Sequence, residues 1–449
     1  MTGRSRRGVK FPHSGRRSSM SEASEESSPS KTRALANIQE KSKDAGDNQQ
    51  LSDYEKKKAN FIERTLWTFV MIAGFFAALF MGHIYIVVII TAVQIISFKE
   101  VIAISSGASR ARDIQSTKSL NWYWLAVAMY FLHGETVIYY FKHIVMVDRV
   151  LLPLATHHRF ICFTLYVVGF VFFVSTLKGG HLKFQFTQFV WAHMALFLIV
   201  GQSHFIMNNV FDGLIWFFLP AALVITNDIF AYVCGITFGR TQLIKLSPKK
   251  TVEGFLGAWV MTVLFGILLT HILMRSRFFI CPANDLGANI FTGLDCEPNP
   301  VFIPQTWTMP ELLFFPTKTR FSITMAPMQI HTFFWATFAS LIAPFGGFFA
   351  SGLKRTFKIK DFGHSIPGHG GITDRMDCQF IMGFFAYIYY HTFIAQSKVD
   401  FDEVLEIVAT RLTIDDHKKL LLFIAKYLVN HNAIDSSIVN AIEKSLTNH

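Results

Sequence analysis

The chain has 449 residues, is 51% hydrophobic, carries 47 Phe and has a formal net charge of +11. A soluble protein of this length would hold two or three domains, but apolar runs of membrane-spanning length recur from residue 64 to residue 396. The cations sit in an N-terminal tail and in short loops between those runs, which excludes a nucleic-acid binder and fits cytoplasmic loops beside anionic lipid; the five cysteines form no C-x-x-C pair, which excludes a zinc ribbon or redox motif.

Residues 1–60 are rich in Ser, Arg, Lys and Glu and lack apolar periodicity, so they are expected to be a disordered tail. Ser-rich tails like its Ser18–Ser30 stretch are common without being phosphorylation sites. Arg4, Arg6, Arg7, Arg16 and Arg17 favour a cytoplasmic N-terminus. No cleavable signal pattern precedes the first apolar run. About nine spans follow, giving an all-α polytopic membrane protein. The first two, 64–82 and 84–104, form a hairpin at Gly82-His83. A basic loop (Arg110, Arg112, Lys118) leads to 121–141, a mixed loop to 160–177, and a short basic connection to 186–206. The sixth span, 211–239, is long enough to tilt or break and carries Asn227-Asp228. An ionisable residue inside hydrocarbon is costly, so Asp228 is a functional candidate; the plainer alternative is an acid paired with a neighbouring helix.

Next comes Ser247-Pro248-Lys249-Lys250-Thr251-x-Glu253-Gly254. Ser247 and Pro248 fit a helix N-cap and first turn, which would set Lys249 and Lys250 at the positive end of a helix, as a phosphate pocket. Span seven is 254–274, followed by a Pro-rich loop, 275–328, holding Cys281 and Cys296. Spans eight and nine are 329–350 and 377–396. Residues 397–449 show helical spacing of apolar positions and suggest two or three amphipathic helices outside the membrane. Three regions result: a tail (1–60), a transmembrane catalytic part (61–396) and an extramembrane helical tail (397–449). This topology puts the basic segments 105–120, 239–252 and 353–375 on one face. It places Cys281 and Cys296 in an oxidising lumen, where a disulfide and two free thiols both stay open.

The stretch from Ser351 to Asp377 concentrates the chemistry. Four cations (Lys354, Arg355, Lys358, Lys360) precede a Pro-Gly-His-Gly-Gly bend, and Asp374 and Asp377 follow with Arg375 between them. Gly370 and Gly371 can let the backbone approach a ligand and turn its N–H groups toward an anion. Asp374 and Asp377 would open a helix and share one face. Close carboxylates among cations suit a polyphosphate and its Mg²⁺. Separately, a basic loop is commonly a topology signal and acids at a helix start commonly answer the dipole; it is their combination with His369 and four glycines that points to function.

The ordered segment from Ser351 through Lys354-Arg355, Lys358, Lys360-Asp361 and Gly363 to Pro367, His369-Gly370-Gly371, Asp374-Arg375 and Asp377 resembles the CDP-diacylglycerol synthases, also called phosphatidate cytidylyltransferases. Asn227-Asp228 with Tyr232, and the Ser247–Gly254 block, match two further parts of that family's pattern, so the resemblance covers about residues 60–396. The head and tail look like the animal form. The resemblance implies a helical membrane homodimer that joins CTP and phosphatidic acid into CDP-diacylglycerol and pyrophosphate with Mg²⁺, in the endoplasmic reticulum with its site open to the cytosol. Under it, Asp228, Asp374 and Asp377 are expected to hold metal. Lys249, Lys250, Lys354 and Arg355 are expected to clamp phosphates, with Ser247, Lys358, Gly370, Gly371 and Asn227 also at the substrates. Arg375 would stabilise transition-state charge, while His369 would contact the triphosphate or assist proton movement, or else only bond the backbone. The competing class is a transporter with an intramembrane acid, against which stand the absence of an internal repeat and the clustering of polar residues at one face. A phosphoalcohol transferase would need a D-G-x-x-A-R spacing, absent here.

Overall fold

A computed structural model describes residues 55, 58–59, 61–110, 116–140, 151–244, 247–283, 287–308, 322–395, 401–431 and 433–447. The tail expected over 1–60 lies almost wholly outside them. The chain divides into units 1–70 and 71–449, and the elements that carry the site belong to the second.

The fold is helical with two small hairpins. In chain order come α1 (Phe61–Met81), α2 (His83–Arg110), α3 (Ser116–Tyr140), the short α4 (Leu151–Thr156) and α5 (His158–Ser175). Helix α6 (Leu182–Ala195) passes through a π-helical stretch, Leu196–Gly201, into α7 (Gln202–Asp212). Then follow α8 (Leu214–Phe238), strands β1 (Gln242–Ile244) and β2 (Ser247–Thr251), α9 (Val252–Leu273) and the one-turn α10 (Arg277–Ile280). A second hairpin, β3 (Gln305–Thr308) with β4 (Ser322–Met325), precedes α11 (Pro327–Leu341), α12 (Pro344–Thr356) and α13 (Thr373–Tyr389), which ends in a π turn, Tyr390–Ile394. The C-terminal tail forms α14 (Phe401–Arg411), α15 (Ile414–Asn430) and α16 (Ser436–Thr447).

Seven of the described helices are long and apolar enough to cross a membrane. Each of the nine expected spans is helical, but α3 and α13 fall outside that set. Gly82, with φ +114°, separates α1 from α2 at the position expected for a turn, and the Ala288 carbonyl fills the space a Cβ would need. The sixth span starts at Leu214 rather than 211, since Gly213 (φ +138°) ends the preceding helix. The eighth is two stacked helices. Pro344 begins the second, and the N–H groups of Ile342 and Ala343 both turn back to the Phe338 carbonyl.

Helix α8 is the axis of the bundle. Leu214, Ile215, Leu219 and Leu223 are fully buried along it, and α7, α9, α11 and α13 all pack on it. Lipid tails are as apolar as these side chains, so close packing and interhelical hydrogen bonds must supply the association. Small residues allow it: Gly254 lies against the Ala231 carbonyl and Gly235, and Gly266 against Leu223. Thr270 and Thr332 bond hydroxyl to hydroxyl at 2.8 Å, and Trp259 donates to Thr337 at 3.1 Å.

The start of α8 meets the segment around the two cysteines: Gly213 faces the Cys281 carbonyl and Ala283 donates to Phe211. Cys281 and Cys296 are joined in a disulfide there, which resolves the alternative left open by the sequence. Asp228 lies fourteen residues beyond Leu214, about 21 Å along the axis at the rise of an α-helix.

Candidate active site

Four segments converge at the far end of α8: the β1–β2 hairpin, the end of α12, the 357–372 loop and the start of α13. The hairpin corrects one expectation. Ser247 and Pro248 do not cap a helix; they lie on β2, paired with β1, and α9 starts at Val252. The cap is Thr251, whose hydroxyl accepts from the Gly254 N–H at 3.2 Å. Glu253 then reaches back across the hairpin. It accepts from the Arg240 N–H (3.0 Å), the Thr241 N–H (3.1 Å) and the Thr241 hydroxyl (2.7 Å). Lys249 and Lys250 therefore ride on a strand pinned by a carboxylate, not on a helix N-terminus. The side chains of Ser247 and Lys249 lie outside the described residues. Lys250 sets its ammonium 4.8 Å from the centroid of the buried Phe348 ring on α12.

Asp374 opens α13 as expected. Its carboxylate takes the Lys354 ammonium at 2.5 Å and the Phe362 N–H at 2.9 Å, with the side chains of the ion pair only 18% and 9% exposed. Lys354 also stands 5.5 Å over the Phe362 ring. Asp377, one turn on, accepts from the Cys378 N–H at 2.7 Å. Gly346 and Gly347 let α12 close on this turn: a Cβ on Gly346 would run into the Asp377 carbonyl, and one on Gly347 would meet the carboxylate. Asp377 interacts electrostatically with Asp228 across the gap to α8. Asp228 is exposed at that position, and Lys250 and Arg375 are the cations it interacts with.

The glycine-rich bend is a closed loop. Ile366 and Gly370 exchange backbone bonds at 3.0 and 3.2 Å, and Gly368 (φ +71°) and Gly370 (φ +87°) supply the left-handed turns. The His369 ring bonds the Pro367 carbonyl at 3.2 Å, while the His369 carbonyl accepts from Arg375 at 3.2 Å. Arg355 and Lys358 are exposed at the end of α12. There Lys358 adopts φ +55°, and the bonds Ile359 N–H to Lys354 and Lys358 N–H to Arg355 form a Schellman cap, a position that ordinarily takes glycine.

Sequence reasoning missed Glu100. It lies on α2, is 5% exposed, and accepts from Ser365, Ile372 and Thr373. The Gly370 N–H, expected to turn toward a ligand anion, bonds the Ile366 carbonyl, and the next N–H groups, of Ile372 and Thr373, face this carboxylate. The rule that singled out Asp228, an acid inside an apolar run, applies equally to Glu100 and would have found it. Phe348 and Phe362 carried no such signal among 47 Phe.

Among the described residues no three His, Cys, Asp or Glu side chains converge as a metal cage. Mg²⁺ does not require one, since it keeps waters and takes one or two carboxylates plus substrate phosphate oxygens. The donors here fit that habit: Asp377 interacts electrostatically with Asp228, and Asn227, next to Asp228 in the chain, buries a side-chain oxygen without a protein hydrogen-bond partner. Beneath Asp377 an apolar cavity of about 90 Å³ is lined by Val101, Phe349, Leu353, Phe362 and Phe380.

The family model for cytidylyltransferases matches residues 62–393. Among similar proteins, the phosphatidate cytidylyltransferase of Saccharomyces cerevisiae is 50% identical over 402 residues, covering 88% of each chain. Phosphatidate cytidylyltransferase 1 of Arabidopsis thaliana is 44% identical, over 84% of this chain and 90% of its own. Phosphatidate cytidylyltransferase 2 of Homo sapiens is 45% identical, over 77% of this chain and 78% of its own. With the family match running through every element of the site, the chain belongs to the cytidylyltransferase family.

Proposed function

We infer that the protein transfers a cytidylyl group from CTP to phosphatidic acid, releasing pyrophosphate and forming CDP-diacylglycerol. The observation that carries this is the gathering of Asp374, Asp377 and Arg375 on the first turns of α13 against Lys354 and the glycines of α12, with Lys250 on the Phe348 ring of the same helix. The transporter alternative has no support among the relatives.

The reaction brings two anions together, so charge neutralisation and alignment dominate its barrier. The nucleophile is a phosphate oxygen that is already ionised, and no side-chain nucleophile is needed. Asp228 and Asp377 would hold Mg²⁺, with the Asn227 oxygen in reach of its water shell. When bound, the ion would supply charge stabilisation for the group being transferred. Lys250 and Lys354 leave their aromatic rests to take phosphate oxygens, and Arg355, exposed at the end of α12, adds cationic charge; Lys249 is the neighbour of Lys250 on β2. Arg375, oriented by the His369 carbonyl, is placed for the charge that develops in transfer. Asp374 keeps Lys354 in place until substrate competes for it, and that exchange would free its carboxylate to join the metal. We assign His369 to holding the loop rather than to proton transfer. The cavity under Asp377 lets the apolar part of the lipid approach from the membrane.

An endoplasmic reticulum location, a cytosolic opening and a homodimer accompany this reading. The test is purified protein with radiolabelled CTP, phosphatidic acid and Mg²⁺, counting lipid-soluble product. Labelled CDP-diacylglycerol that disappears on chelation, and in Asp377→Asn, is the expected result. No labelled lipid from active-folded protein would overturn it.

A further inference from the structure

Glu100 is the only acid on α2. Its partners among the described residues are N–H and O–H donors rather than a cation. One oxygen accepts from the Ser365 hydroxyl at 2.5 Å and the Ile372 N–H at 3.0 Å; the other accepts from the Thr373 N–H at 2.9 Å. One turn earlier on α2, the Ser97 carbonyl accepts from the Thr373 hydroxyl at 3.3 Å. Gly363 and Gly371 both press on the carboxylate, and a Cβ at either would collide with it. The 363–373 loop is thus drawn at both ends onto a single buried side chain.

Two consequences follow. The first N–H groups of a helix have no intrahelical partner and attract anions. At α13 a residue of the protein already fills that role, so substrate phosphates are left to Lys250, Lys354 and Arg375. In addition, Thr373 and Asp377 are four residues apart on one face of α13. Holding Thr373 against α2 therefore sets the rotation of α13 and, with it, the direction of Asp377.

We propose that Glu100 is a positioning residue for cytidylyl transfer: by fixing the 363–373 loop and the start of α13 to α2, it aims Asp377 at Asp228. The proposal rests on the reading of Asp228 and Asp377 as the metal-holding pair. Glu100→Gln tests it, because the amide keeps the size of the side chain but its nitrogen cannot accept an N–H bond.

Full-length protein in detergent is assayed for kcat, for KM of both substrates, for the Mg²⁺ half-saturation point, and, without metal or nucleotide, for amide hydrogen exchange in peptides covering 363–376. Glu100→Gln is expected to lower kcat roughly 10- to 100-fold, the usual range for groups supporting a metal site. The Mg²⁺ midpoint should rise several-fold and exchange at 363–376 should accelerate. Unchanged kcat and Mg²⁺ midpoint would overturn the proposal. So would a loss of activity that merely tracks a loss of folded protein with the Mg²⁺ midpoint unmoved.

If Glu100→Gln does not fold, Ser365→Ala decides, since it removes a single donor. A smaller shift in the same direction supports the proposal, and wild-type values overturn it. Asp377→Asn in the wild-type background separates the two levels: retained activity there defeats the metal-pair reading itself, independently of Glu100.

Discussion

Asp374 and Asp377 lie one turn apart on α13, yet their surroundings predict opposite effects of the same neutral substitution on the ligand-free protein. Asp374→Asn leaves the Lys354 ammonium, 18% exposed, without its anion, and weakens the acceptor for the Phe362 N–H. Breaking a fully buried ion pair from one side costs about 3–5 kcal/mol. Residual exposure and the Phe362 ring under Lys354 reduce that here to about 2 kcal/mol. Asp377→Asn removes a charge that faces another of the same sign, Asp228. Solvent at the exposed Asp228 screens the repulsion, leaving a relief on the order of 1 kcal/mol or less. With about 2–4 °C per kcal/mol for a domain of moderate size, Asp374→Asn should lower the apparent melting temperature by about 4 °C or more. Asp377→Asn should leave it unchanged or raise it by about 2 °C. The assay is thermal unfolding in detergent followed by tryptophan fluorescence, without CTP or divalent metal, alongside turnover with both present. Both variants should lose activity. A destabilised Asp377→Asn together with a thermally normal Asp374→Asn would refute the division of labour between the two acids.

Replacing Phe348 or Phe362 by Leu should raise the KM for CTP about two- to tenfold with little change in kcat, since without the ring the lysine must be ordered on binding, at a cost of roughly 0.5–1.5 kcal/mol; steady-state kinetics at saturating phosphatidic acid reads it. Lys358→Gly should raise the melting temperature, because the left-handed φ of +55° costs a side-chain-bearing residue about 1 kcal/mol. Lys358→Asn, which tolerates that conformation, separates strain from charge when turnover is compared. Cys281→Ser opens a disulfide with a sequence separation of 15 and should cost about 3 kcal/mol in melting experiments. Because the bond lies at the start of α8, about 21 Å along the axis from Asp228, kcat at temperatures where the variant stays folded should remain near wild type.

The helices and the principal acids were legible because they obey one-dimensional rules. Apolar runs of span length mark helices, Asp228 breaks such a run, and Asp374-x-x-Asp377 has helical spacing. The structural role of the Ser247–Gly254 block was not legible. Thr251 is a cap only because Glu253 folds β1 back onto β2, a tertiary arrangement that overrides the local Ser-Pro preference for starting a helix. The partner of the glycine bend was hidden for a related reason. Glycines permit close approach but do not say what approaches, and the occupant, Glu100, lies more than 260 residues earlier in the chain. The aromatic rests of Lys250 and Lys354 depend on which of many phenylalanines the packing brings near, and no spacing rule selects them.

The cations of the site share a property that bears on how it binds polyphosphate. Lys250 lies over Phe348, while Lys354 is divided between the Phe362 ring and Asp374. An ammonium on an aromatic face has already given up part of its hydration and its rotamer freedom, so moving it onto a phosphate oxygen requires less reorganisation than recruiting a freely solvated lysine. The aromatic partner is also weaker than phosphate and yields when substrate arrives. A full carboxylate partner would hold the lysine more tightly, as Asp374 does, but its charge would then need an alternative cation once the lysine left. On the proposed reading, Mg²⁺ held by Asp377 one turn along α13 would provide that cation. The exchange of Lys354 from carboxylate to phosphate and the binding of the metal would then be electrostatically coupled, each lowering the cost of the other. Binding of CTP should accordingly tighten with Mg²⁺ more steeply in wild type than in Lys354→Met, and equal Mg²⁺ dependence in the two proteins, measured by calorimetric titration of CTP, would show that no such coupling exists.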